Sequence, residues 1–115
     1  MNEHFSPIIP VEPGHVITGA ALTSIHSLVG QSLGDAGDGI LISRPVYGRF
    51  ELDFGNIAGL KIVYADPGSI DVFCDDNVDG YQAAFDAAAA KGVKVMALLI
   101  VNPHNPLGEC GVVRQ

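Results

Sequence analysis

Two Asn-Pro dipeptides stand three residues apart in Asn102-Pro103-His104-Asn105-Pro106-Leu107-Gly108, and an apolar run from Val95 to Val101 leads straight into them. Such a run predicts a buried strand that stops at the two prolines and the glycine. Polar side chains are then presented at a strand's carboxyl end, the edge at which open α/β sheets bind ligands. One Asn-Pro pair is ordinary turn chemistry, whereas two pairs closed by Gly108 are much less so. A second stretch, Val16-Ile17-Thr18-Gly19-Ala20-Ala21, reads as the end of a strand and a tight turn, with a helix from Leu22 onward. The free amides of a first helical turn and the positive end of its dipole could hold an anion such as phosphate there. Most strand-to-helix turns containing glycine bind nothing, so Gly19-Ala20-Ala21 counts only in company. Tyr47 follows a third strand candidate, and a lone tyrosine at a helix start is ordinarily a half-buried packing residue with its hydroxyl in water.

Other chemistries find little support. His4, His15, His26 and His104 show no metal-ligand spacing and no HExxH pattern, and Cys74 and Cys110 form no CxxC pair. Asp75-Asp76-Asn77-Val78-Asp79-Gly80, with Asp86 further on, imitates the start of a calcium loop. No amphipathic helix precedes it and the closing residue is aspartate rather than glutamate, so no metal site is assigned. Asp79 is instead expected to cap a helix whose positive end suits its acidic neighbours.

The elements that must position these residues alternate. Residues 1–14 carry three prolines and are expected to be extended without regular structure. His15–Thr18 is predicted as a short strand. Leu22, Ile25, Val29 and Leu33 recur at helical spacing and predict a helix that ends before Gly34. Turn residues 35–39 precede a buried strand at 40–43. Phe50, Phe54 and Ile57 predict the inward stripe of a second helix. A strand at 60–65 follows, then the turn Asp66-Pro67-Gly68-Ser69 and a short extended piece at 70–73. A third helix is predicted from Tyr81 to Lys91, with Tyr81, Phe85 and Ala88 on one face and Gly92 as its stop. The last strand is 94–101. Strands alternating with helices give an α/β class with a mainly parallel sheet and right-handed crossovers.

The chain has 115 residues, enough for one domain, and 48% of them are hydrophobic, which argues for a packed core. Six Lys and Arg against thirteen Asp and Glu give a net charge of −7, which repels nucleic acid and anionic membrane surfaces. The longest strongly apolar run falls far short of the roughly 20 residues that span a bilayer, and the proline-broken start is not a signal peptide. A cytoplasmic, reducing location is therefore expected.

Taken in order, the turn at 19–21, Pro45-Val46-Tyr47 and the double Asn-Pro heptad resemble the class I/II aminotransferases of pyridoxal-phosphate (PLP) fold type I. The Gly-Asp at 37–38 matches too, and His104 and Leu107 most resemble the branch containing 1-aminocyclopropane-1-carboxylate synthases. The resemblance implies PLP as cofactor and an amino acid as substrate of an intact protein. Backbone amides of Gly19, Ala20 and Ala21 would cradle the cofactor phosphate, although Ala21 stands where the family has a hydroxyl. The ring of Tyr47 would stack on the pyridine ring, and Asn105 would donate to the phenolic oxygen. Residues 1–115 would form a three-layer α/β/α fragment of the family's large, PLP-binding domain. Strand 40–43 would lie between 60–65 and 94–101, with 15–18 at the far side and the edge of 94–101 open.

Family members hold PLP as a Schiff base on a lysine near a Ser-rich motif, placed after the heptad together with an aspartate for the pyridine nitrogen and an arginine for the substrate. None of Lys61, Lys91 and Lys94 stands in such a motif. The expectation is thus a truncated, aminotransferase-like chain with recognition residues and no residue for proton transfer. The alternative is a non-catalytic α/β interaction module that self-associates through the open edge. A small binding domain unrelated to PLP would need three elements to match in order by chance.

Overall fold

The computed structural model describes residues 2–66 and 77–110. Its elements run α1 (Asn2–Phe5), α2 (Leu22–Leu33), β1 (Gly39–Ser43), α3 (Phe50–Gly55), β2 (Lys61–Ala65), α4 (Asn77–Ala90) and β3 (Val95–Leu98), with a 3-10 turn at Pro13–His15. The three strands form one parallel sheet in the order β2-β1-β3. β1 is therefore central, as the resemblance implies. Every residue of β1 is buried, which suits its unbroken apolar sequence, because a central parallel strand is covered on both faces.

The sheet has α3 on one face and α4 on the other. Ile40, Ile42 and Leu60 pack with Phe50, Phe54 and Ala58 of α3 and the turn after it. Leu41 instead faces a groove shared with Val78, Tyr81 and Phe85 of α4. α2 packs chiefly on α3, outside the sheet. Its stop is set by Gly34, whereas α4 ends in a Schellman motif. There Gly92 takes a φ of 73°, and the amides of Gly92 and Val93 donate to the carbonyls of Ala89 and Ala88.

Several expectations from periodicity need correcting. Residues 2–5 are helical, since the first proline comes only at Pro7, and the Asn2 side chain bridges both backbone groups of Val11. His15–Thr18 is not a strand. His15 ends the 3-10 turn, residues 16–18 have no regular structure and Ile17 is 88% exposed. A parallel strand needs a neighbour, and the sheet of the described residues offers none at that place. On α2 the buried residues are Ser27 and Gly30, while Leu22 and Val29 are exposed. A helix that meets another helix rather than a sheet is drawn in by its small residues. A Cβ on Gly30 would lie 3.0 Å from the Cβ of Ala58 and 3.2 Å from the Phe54 ring.

Ile57 is exposed because α3 ends at Gly55, and Ala58 takes its place in the core. α4 begins at Asn77 rather than Tyr81, so Asp79 lies inside its first turn instead of capping it, and of the expected face Ala88 is buried while Phe85 is exposed. β3 covers Val95–Leu98 rather than the whole of 94–101, with a register shift opposite Gly39 and Ile40. The turn after Asp66, the piece at 70–73, Cys74 and the acidic pair Asp75-Asp76 fall outside the described residues, as do Met1 and residues 111–115.

α2 and α3 are joined by a hydrogen bond between side chains. The Nδ1 of His26 lies 2.9 Å from Oδ2 of the buried Asp53, and because an ionised carboxylate only accepts, Nδ1 carries the proton. The imidazole is held against the rings of Phe50 and Phe54, with centroids 5.2 and 4.9 Å away. Ser27 Oγ donates to the Asp53 carbonyl at 3.3 Å. The hydrogen bond from His26 holds the Asp53 carboxyl below its ordinary value of 3.8, outweighing the opposing effect of burial, with Thr23 and Arg49 adding smaller pulls.

Two outcomes follow. Gly30→Leu overpacks the α2–α3 contact and should cost about 1–3 kcal/mol in urea unfolding. A variant as stable as the parent would mean that the two helices can separate freely. The second concerns acid. A carboxyl with a depressed folded pKa contributes stability that is complete above its unfolded value and is lost as pH falls through the folded value. The unfolding midpoint should therefore fall below about pH 4, and Asp53→Asn should flatten that decline. An Asp53→Asn protein with the parent's acid limb would remove His26–Asp53 as its cause.

Candidate functional site

The double Asn-Pro loop leaves the sheet in a controlled way. After β3 the Leu99 amide still donates to Leu41 O at 2.9 Å, and Leu99 and Val101 pack against the core. The chain turns away at Asn102, and the peptide bonds before Pro103 and Pro106 are cis, as is that before Pro45. The loop is closed by hydrogen bonds from Gly108 N to His104 O and from His104 N to Glu109 O, both 2.7 Å. Asn105 and Leu107 are exposed, whereas His104 is only 7% exposed.

At the neighbouring strand, the Arg44 amide extends the β1–β2 ladder to Ala65 O at 3.0 Å, and Tyr47 opens α3 by accepting from Phe50 N at 3.2 Å. The Tyr47 ring meets Phe50 edge-on at 5.6 Å and remains 37% exposed. It is thus fixed on one side and accessible on the other.

The turn at 19–21 is exposed and carries nothing larger than a methyl group. A Cβ on Gly19 would come within 2.3 Å of the Ile25 Cδ1, so a larger residue there requires that side chain to move. Ser24 closes the turn by accepting from Ala21 N at 3.2 Å and donating to Ala21 O at 2.8 Å. The Ala21 amide, expected to be open to phosphate, already has an acceptor that a ligand would have to displace. Periodicity passes over Ser24 because a serine at the third helical position binds backbone locally instead of joining an apolar stripe.

These pieces share one edge of the sheet. β1 and β3 are parallel neighbours, so Tyr47 and Asn105 follow adjacent carboxyl ends. His26 on α2 touches Phe50 at the start of α3, while Gly30, a turn later, touches Ala58 and Leu60 before β2. α2 therefore runs from the carboxyl edge to the amino edge, and its first turn lies on the side of Tyr47 and Asn105. The lysines lie on the other side: Lys61 is the first residue of β2, Lys94 immediately precedes β3 and Lys91 follows α4. A five-residue strand separates the two edges by roughly 17 Å. The groups that could meet a ligand are an exposed turn at a helix N-terminus whose Ala21 amide is engaged by Ser24, a half-exposed aromatic ring and an exposed carboxamide.

Beside the loop lies a cavity of about 180 Å³, to which Ser43, Asn77, Tyr81 and His104 contribute polar groups. On β2, the Arg44 guanidinium sits 3.9 Å above the Tyr64 ring and 3.5 Å from Asp66, and the Tyr64 hydroxyl donates to Glu51. Burial, and then the Glu51 carboxylate, push the Tyr64 phenol up to about 12 despite the opposing pull of Arg44.

The sequence pattern of the family described as aminotransferase class I and II matches residues 2–110. Aminotransferase verI of Clonostachys rogersoniana is 35% identical over 108 residues, covering 93% of this chain and 24% of that protein. 1-Aminocyclopropane-1-carboxylate synthase 5 of Oryza sativa subsp. japonica is 38% identical over 97 residues, covering 84% of this chain and 18% of that protein. The probable aminotransferase gliI of Aspergillus fumigatus is 31% identical over 113 residues, covering 93% and 26%. The chain thus spans about a quarter or less of the length of these relatives. None of the helices among the described residues is long and apolar enough to cross a membrane.

In an alkaline spectrophotometric titration, the Tyr64 phenol should ionise near pH 12, and Glu51→Gln should bring it down. A Glu51→Gln protein with an unchanged Tyr64 ionisation would leave burial as the sole cause.

Proposed function

The chain belongs to the class I and II aminotransferase family, and from that membership we propose that it is the cofactor-recognition part of a PLP-dependent protein of the 1-aminocyclopropane-1-carboxylate synthase-like branch. Its setting is cytoplasmic, and the substrate class, where the remainder of a large domain is present, is an α-amino acid. The backbone around Gly19, Ala20 and Ala21 holds the phosphate, the Tyr47 ring stacks on the pyridine ring and the Asn105 carboxamide donates to the phenolic oxygen. When bound, PLP supplies an electron sink for charge developing on the amino acid. This chain's residues bind and orient that group. None of its lysines is placed to hold it covalently or to move a proton beside it, because all three lie at the opposite edge of the sheet. The observation that carries the reading is this division, with Tyr47 and Asn105 following adjacent strand ends and every lysine away from them.

A second reading is a non-catalytic module that pairs with another copy through β3. It is favoured by Met96, Leu98 and Ile100, which are exposed on β3 and the residues after it, beside an edge with no partner strand among the described residues.

Titration with PLP distinguishes the two. Amide shifts are expected at Gly19–Ala21 and Asn105, and Asn105→Ala should weaken binding about fivefold, the equivalent of one hydrogen bond of about 1 kcal/mol. Borohydride reduction followed by mass spectrometry should place no stoichiometric phosphopyridoxyl group on Lys61, Lys91 or Lys94. Stoichiometric labelling of any one would overturn the division of the site. Concentration-dependent mass in light scattering, with no PLP-induced shifts at the turn, would select the second reading.

A further inference from the structure

Building on the reading of Asn105 as a cofactor contact, we infer that His104 is the positioning residue that presents it, and that His104 does so as a neutral imidazole with its proton on Nε2. Pro106 has no N–H, so between Asn105 and Gly108 the loop has only the amides of Leu107 and Gly108 to anchor it beyond Asn105's own. Both end on His104. Gly108 N donates to its carbonyl at 2.7 Å and Leu107 N approaches its Nδ1 at 3.4 Å. The His104 amide in turn donates to Glu109 O at 2.7 Å, so the same residue fastens both ends of the segment that carries Asn105.

An amide N–H can only donate, so the Nδ1 that receives it carries no proton, and the single proton of the neutral ring is on Nε2. The ring is buried, and the loop around Asn105 is exposed. The rigid part of the heptad is therefore the residue between the two Asn-Pro pairs. A second proton on Nδ1 would set a donor against the Leu107 amide and open the loop. Among the described residues, Tyr81 and the neutral Asn77 of α4 line the cavity with His104, while Asp79 is exposed in that helix's first turn. β1 contributes Ser43, and the loop contributes Glu109, whose side chain is exposed.

The test is made on the chain without cofactor. Nitrogen-15 spectra of the imidazoles at neutral pH should show His104 as the Nε2–H tautomer, and an Nδ1–H tautomer overturns the inference. Hydrogen exchange of the Leu107 amide gives the second readout. His104→Asn puts its Oδ1 where Nδ1 stood and should keep the parent rate. His104→Gln places its amide at the Nε2 position and should exchange about three- to tenfold faster, the loss of one weak hydrogen bond. Equal rates in the two variants overturn the inference. The tautomer readout uses the unsubstituted chain, so a variant that fails to fold does not spare the inference. A chain that passes both yet binds no PLP overturns the cofactor reading alone.

Discussion

The His26–Asp53 pair is the constraint on which the arrangement depends. α2 makes its main contact with α3 and carries the turn at Gly19-Ala20-Ala21, while α3 begins beside Tyr47 and is fixed to β1 and β2 through Phe50 and Phe54. The distance from that turn to the Tyr47 ring is thus set across the α2–α3 contact. That contact consists of small residues, Ser27 and Gly30, and the hydrogen bond between His26 and the buried Asp53. Burying a carboxylate is costly unless it is paired, and here the His26 imidazole meets Oδ2 at 2.9 Å while the Arg49 guanidinium stands 3.8 Å from Oδ1, which has no hydrogen-bond partner among the described residues. Removing the imidazole would leave the buried carboxylate without its closest partner, so the two helices are coupled through this one contact.

Much of this was legible in the sequence wherever an element is buried on both sides. Ile40 to Ser43, the strand at 60–65 and the bounds of α2 were readable because continuous apolar runs and glycine stops leave few options, whereas the central place of β1 came from the family resemblance alone. The misreadings have a common cause. Leu22 and Val29 have helical spacing, yet periodicity does not say what a helix faces, and α2 faces a partner that admits only small side chains. His15–Thr18 has a strand's composition but no neighbour among the described residues to complete its ladder. Composition sets what a segment can become, and pairing sets what it does become.

The site was legible to a different degree. The heptad, Tyr47 and the turn at 19–21 stand out by residue type and order, and the sheet places Tyr47 and Asn105 after adjacent strand ends. Ser24 and His104 do not stand out, because their roles lie in single hydrogen bonds to nearby backbone. A histidine between two Asn-Pro pairs looks like a variable position until its burial is known. The lysines show the converse, since only topology reveals that all three stand at the amino edge.

The strand order also governs how the chain can fold. Among the described strands, β1 comes first in the chain and lies in the middle of the sheet, so both of its partners follow it, the second only after α4. Until then the Ile40-Leu41-Ile42 run is an apolar segment with unpaired amides on each side. Non-local parallel pairing of this kind is slow, since loop closure precedes any gain from contact. β1 can be sheltered meanwhile only by α3, which follows it directly in the chain. Folding of this chain is therefore expected to start as a β1–α3 unit around Phe50 and Phe54, with β3 and its double Asn-Pro loop added last. The candidate site is complete only when that final strand has docked.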